Sequence, residues 1–215
     1  MAAEIYYFSG TGNSLVVARD IAGRLDGKLI PVASVIDGER IRTEAGVVGI
    51  VFPVHNVVNG GVPSIISRFL AKLEGIASTY IFAVCTCGAG SGEALVNIEK
   101  LIKAKGGKLA AGFTVKMPFN CPPFTKEDEQ LKRFQGWEQQ LAEVVETVAA
   151  RKEIKIKMVN PVVNTLLSPL GSIMHSLILN NYRKLAGAPG LAFYDTVFLL
   201  MIIVTAAGFA LKFAR

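Results

Sequence analysis

Five short apolar runs punctuate the first 120 residues, and most are separated by stretches with helical spacing. The runs are EIYYF at 4–8, LIPVA at 29–33, VVGIVF at 47–52, TYIFAVCT at 79–86 and LAAGFTVKM at 109–117. Residues 14–26 carry Leu15, Val16, Ala18, Ile21, Ala22 and Leu25 at helical intervals, and Gly27 follows as a stop signal. Residues 64–73 read as a helix that begins after Pro63, and residues 92–105 as another that closes at Gly106-Gly107. A polar, Glu/Gln-rich helix is predicted for about 126–152. Strands that alternate with helices pair in parallel, because each return connection runs through a helix on the face of the sheet. The run at 47–52 is apolar at every position, as a strand covered on both faces would be. The predicted fold is α/β: a doubly wound, five-stranded parallel sheet in the order 2-1-3-4-5.

Ligands of such sheets sit outside the carboxyl ends of the strands, near the point where the strand order reverses. That directs attention to three loops. The loop after the first strand is Ser9-Gly10-Thr11-Gly12-Asn13-Ser14, six residues without bulk that open a helix. A helix N-terminus presents unpaired N–H groups and the positive end of its dipole, so it can hold a phosphate with amides and small hydroxyls and no cationic side chain. Gly10 and Gly12 let the backbone approach, Ser9, Thr11 and Ser14 add hydroxyls, and Asn13 is a candidate cap. No Lys follows Gly12, which disfavours a nucleoside triphosphatase loop, and Leu15 breaks the dinucleotide pattern GxGxxG.

FSGTGNS, taken with GIVFPV at 49–54, IFAVCTCG at 81–88 and GFTVKMP at 112–118, resembles the flavodoxins and related FMN proteins. The likeness runs through most of residues 3–150. It looks particularly like the flavodoxin module that is fused to a two-cluster ferredoxin in anaerobic bacteria and archaea. The resemblance implies a flavodoxin-like domain at 1–152, a noncovalent FMN, and transfer of one or two electrons. It also implies further cofactor contacts. In the loop after the third strand these are Pro53, Val54, His55 and Asn56, with Gly60 and Gly61 as a peptide free to reorient. In the loop after the fourth strand they are Thr86, Cys87, Gly88, Gly90 and Gly92, and beyond the fifth strand Phe119. Residues 53–62 depart from the family in lacking Trp, Tyr or Phe, so His55 is the flat side chain available there. No catalytic or metal-binding residue is predicted.

Cys85, Cys87 and Cys121 do not make a disulfide framework, and no Cys follows 121, so the clusters of the fused ferredoxin have no ligands in this chain. No basic and apolar leader opens the chain, and the cytoplasm is the expected compartment. The formal net charge of +6 lies in the tail: residues 151–215 hold eight Lys and Arg against Glu153 and Asp195. A basic tail beside apolar runs points to a membrane face or an acidic partner and not to nucleic acid. Residues 153–190 read as a basic and apolar linker, with 161–180 as an interfacial or partner-binding stretch. Residues 191–215 read as an apolar helical tail. Its uninterrupted stretch, 196–211, would make about 24 Å of helix against a hydrocarbon core of about 30 Å. Three readings of this tail stand side by side: an anchor on the cytoplasmic membrane through 191–213, a helix buried against a partner, and a relic of the fused protein. The leading functional expectation is an FMN electron-transfer protein of anaerobic redox metabolism, with a redox partner such as a ferredoxin-type donor or acceptor. The alternatives are an FMN-dependent oxidoreductase acting on a quinone or porphyrinogen, and a non-catalytic membrane adaptor that keeps the fold.

Overall fold

A computed structural model of the chain describes residues 3–55, 61–88, 90–118 and 127–156. Five parallel strands form the main sheet: β1 (Ala3–Tyr7), β2 (Lys28–Pro31), β4 (Val47–Pro53), β6 (Tyr80–Cys87) and β7 (Leu109–Lys116). Their order is β2-β1-β4-β6-β7, which is 2-1-3-4-5 when the five are counted along the chain. This is the doubly wound, flavodoxin-like topology. Two-residue strands β3 (Ile41–Arg42) and β5 (Leu73–Glu74) pair in parallel as a separate small ladder.

Side-chain alternation along the central strands builds a core on each face. Val48, Ile50 and Phe52 of β4 and Ile81, Ala83 and Cys85 of β6 pack with α3 (Ser64–Lys72) and α4 (Ala94–Ala104) through Ile66, Phe69, Leu70, Ile98 and Ile102. On the other face Val47, Val51, Phe82 and Val84 meet α1 (Asn13–Leu25) and α5 (Glu127–Ala149) through Val17, Ile21, Trp137, Leu141 and Val144. Every residue of β6 is buried, as expected for a strand covered on both sides. Each large apolar side chain removed from water contributes roughly 1.5–3 kcal/mol. Gly49 is glycine for space: a Cβ there would run into Phe82 and Ile5. Trp137 Nε1 donates to Asp20 Oδ2 at 2.9 Å and ties α5 to α1 beside this core.

The elements differ from the sequence reading at their ends, for local reasons. The second strand stops at Pro31, and Val32–Val35 form a short helix, α2, instead of continuing the strand to 33. Pro31 brings φ −65° and no N–H, which suits a helix N-cap and not a ladder. Helix α4 begins at Ala94 and not at 92, because Gly92 sits at φ 52°, outside the helical region. Helix α5 ends at Ala149 and not near 152: Arg151 turns to φ 49°, and the N–H groups of Arg151 and Lys152 return to the carbonyls of Val148 and Thr147. The expected linker beyond Ile156, the 191–215 helix, Cys121, and the site residues Asn56, Gly60 and Phe119 lie outside the described residues. Among the described residues, no helix is long and apolar enough to cross a membrane.

Candidate functional site

A cleft of about 200 Å³ opens at the carboxyl edge of the sheet, where the loops after β1, β4, β6 and β7 converge. Of the residues singled out from sequence, Ser9, Gly10, Thr11, Asn13, Ser14, Pro53, Val54, Thr86, Cys87 and Gly88 line it. Met117 and Pro118 line it too, although the sequence reading used them only as part of a resemblance. None of these lining residues carries a charged side chain.

The corner between β1 and α1 is built from a contiguous segment. Gly12 sits at φ 98°, a conformation that a residue with a Cβ rarely adopts, and the chain turns there from strand to helix. Its N–H donates to Ser9 Oγ at 3.1 Å, which folds the turn back on itself. The N-cap of α1 is Gly12, which has no side chain to cap with, and the cleft-lining residues Ser9, Gly10, Thr11, Asn13 and Ser14 lie at the positive end of the helix dipole. The expectation that Asn13 caps the helix is corrected. Asn13 is the first helical residue, and its side-chain amide donates 2.9 Å to the carbonyl of Pro118, beyond β7. Ser14 is buried, and its hydroxyl pairs with that of Thr86 at 2.8 Å, joining α1 to β6.

The opposite corner, at the ends of β6 and β7, is held by a residue that the sequence reading passed over. Arg133 of α5 reaches back so that Nη1 donates to the carbonyls of Gly88 at 2.5 Å and Met117 at 2.8 Å, while Nη2 pairs with Glu129 at 2.6 Å. Its side chain is 19% exposed. The only sequence signal for it is a single Arg on an otherwise Glu/Gln-rich helix, with nothing to say where it points. Burial raises the pKa of the Cys87 thiol, against the opposing pull of Lys116 and Arg133. Burial also pushes Cys85 up to about 12. Both thiols are therefore neutral near pH 7 and add no charge to the wall.

Other predicted positions lie beside the described part of the cleft without lining it. His55 packs its ring edge-on against Phe8, with centroids 5.8 Å apart, and its backbone N–H donates to the carbonyl of Gly61 at 3.0 Å. Burial lowers its pKa, so the imidazole is neutral at pH 7. Phe8, part of the first apolar run, thus supplies the aromatic neighbour that the loop after β4 lacks in sequence. Gly61 sits at φ 77°, and a Cβ there would lie 2.9 Å from Ala94 Cβ, so close packing on the start of α4 explains the glycine. Gly90 and Gly92 belong to the turn into α4, where Gly92 supplies the positive φ.

No protein-family model matches the chain, and no curated protein does. Solved structures do. A Streptococcus pneumoniae TIGR4 flavodoxin is 15% identical, with 67% of this chain and 100% of that chain covered, at a TM-score of 0.42. The two-electron reduced flavodoxin of Megasphaera elsdenii is 18% identical, covering 64% and 98%, at 0.42. A flavodoxin from the domain Archaea is 16% identical, covering 69% and 99%, at 0.44. At such identities and scores the likeness adds nothing to the strand order, which defines the fold by itself.

Proposed function

We propose that the chain is an FMN-binding electron-transfer protein. The observation that carries this reading is the uncapped, hydroxyl-lined N-terminus of α1 at the switch point of the sheet, in a cleft whose described walls bear no charged side chain. A phosphate needs a preorganised set of donors and no nearby carboxylate, and the turn 9–14 meets both requirements. FMN, when bound, would supply one- or two-electron transfer. Ser9, Thr11 and Ser14 and the amides of the turn would hold its phosphate. Residues 53–55, 86–88 and Met117 would border the ring, with Asn56, Gly60 and Phe119 proposed beside them and Gly61, Gly90 and Gly92 shaping the loops. The neutral thiol of Cys87 and the neutral imidazole of His55 would leave the ring site without a formal charge of its own. The protein's part is to bind, to orient and to limit the access of water.

The proposed setting is anaerobic redox metabolism in the cytoplasm, with a ferredoxin-type donor or acceptor and with residues 191–213 as contact to a membrane. The apolar run at 196–211 and the basic residues around it support that contact. The test is titration of the flavin-free protein with FMN and with riboflavin, read by quenching of flavin fluorescence. Binding of FMN at least tenfold tighter than riboflavin is expected, about 1.4 kcal/mol for the phosphate. Equal affinities would overturn the phosphate assignment, and no binding of either would overturn the reading itself.

A further inference from the structure

Backbone carbonyls at the rim of the cleft are taken up one after another by donors from elsewhere in the protein. Thr86 O accepts from the N–H of Val54 at 2.8 Å, and Cys87 O from the N–H of Met117 at 2.9 Å. Gly88 O and Met117 O accept from one nitrogen of Arg133, and Pro118 O from the amide of Asn13 at 2.9 Å. An arginine is costly to desolvate, and this one is held by three hydrogen bonds, one of them to a carboxylate. Gly88 and Met117 each follow directly on neighbouring strands, whose last paired residues are Cys87 and Lys116, and the N–H of Met117 donates to Cys87 O.

We propose that Arg133 is a positioning residue for the cleft: its guanidinium clamps the ends of β6 and β7, draws the carbonyls of Gly88 and Met117 onto itself, and so fixes the wall formed by Cys87–Gly88 and Met117–Pro118. The wall then presents a set shape to a ligand, and two strong acceptors are already engaged within the protein. Such a clamp acts on the part of the ligand that lies against the wall and not on a phosphate held by the turn 9–14. The identity of the ligand rests on the FMN reading; the clamp itself does not.

The experiment uses the full chain with Arg133→Met, Arg133→Lys and Glu129→Gln. Flavin-free protein is followed by amide hydrogen exchange, and FMN and riboflavin are titrated separately. In Arg133→Met, the Met117 amide should exchange about tenfold faster or more, while Val84 in the middle of β6 keeps its protection. FMN and riboflavin should both weaken by about tenfold and by the same factor. Arg133→Lys should recover part of both effects, because an ammonium can reach carbonyls but cannot also hold Glu129 in the same fork. Glu129→Gln, which leaves both carbonyl bonds in place, should stay within about twofold of the parent. Unchanged exchange at Met117 in Arg133→Met would overturn the clamp, as would a loss confined to FMN, which would make the guanidinium a distant charge on the phosphate. If Arg133→Met does not fold, the decision passes to Arg133→Lys: parent-like exchange and parent-like binding there would overturn the proposal. A parent protein that binds neither flavin defeats the functional reading, and the exchange experiment still decides the clamp.

Discussion

The two corners of the cleft hold their shape by different means. Between β1 and α1, six consecutive residues make a turn that is folded back by a local bond, Gly12 N–H to Ser9 Oγ, and whose positive character comes from the helix dipole. At the ends of β6 and β7, the shape depends on Arg133, 45 residues along the chain from Gly88 and 16 from Met117. One corner is uncharged and built from backbone; the other is clamped by a real charge that is itself neutralised by Glu129. If the cleft binds the phosphate proposed above, the site holds an arginine without presenting it as the anion's partner: the dipole would serve the ligand, and the guanidinium the wall.

Breaking the first corner should have the largest effect. Gly12→Val forces a β-branched residue to φ 98°, although no atom lies in its way. The expected outcome is a stability loss of about 1–3 kcal/mol in urea unfolding and the loss of detectable FMN binding. Next comes the pair Thr11→Ala and Ser14→Ala. Two hydroxyl donors to a charged acceptor should cost about 1.5–3 kcal/mol each in FMN binding, with riboflavin almost unaffected. Ser14 also pairs with buried Thr86, so a fall in riboflavin binding of equal size would show that the change acted through packing and not through the phosphate. This pattern is the reverse of the one expected for Arg133→Met, and together the two variants separate the corners.

Smaller effects test how firmly α5 is seated. Trp137→Phe keeps most of the ring packing but removes the bond to Asp20, and should lower unfolding stability by about 0.5–1.5 kcal/mol with little change in flavin binding. A larger loss in binding than in stability would show that α5 transmits strain to the cleft through Arg133.

The smallest expected effect is a pH dependence at His55. Its folded-state pKa is lowered by burial, while the unfolded value is about 6.5. Below about pH 6.5 the unfolded chain takes up a proton that the folded protein refuses. Stability from this group is therefore complete above that pH and falls as pH drops toward the folded pKa. Urea unfolding at pH 7.5 and 5.5 should show a smaller difference in His55→Asn than in the parent; equal differences would show that the histidine is not held neutral.

How much of this could be read in advance differs between the corners for a physical reason. The strand and helix periods and the glycine turn are properties of neighbours in sequence. Hydrophobic alternation, a stop at Gly27 and a run of small residues before a helix act over a few residues and leave their mark there. The sequence by itself therefore determined the parallel sheet and the turn 9–14 at its edge. Its judgement of Asn13 was also local, and failed for that reason: a residue with the chemistry of a cap found its partner at Pro118, 105 residues away. The same holds for Ser14 with Thr86, for Trp137 with Asp20, and for Arg133 with the ends of β6 and β7. Only tertiary structure decided these pairings, because a buried donor takes whichever acceptor packing brings within about 3 Å, and the spacing along the chain carries no record of that choice.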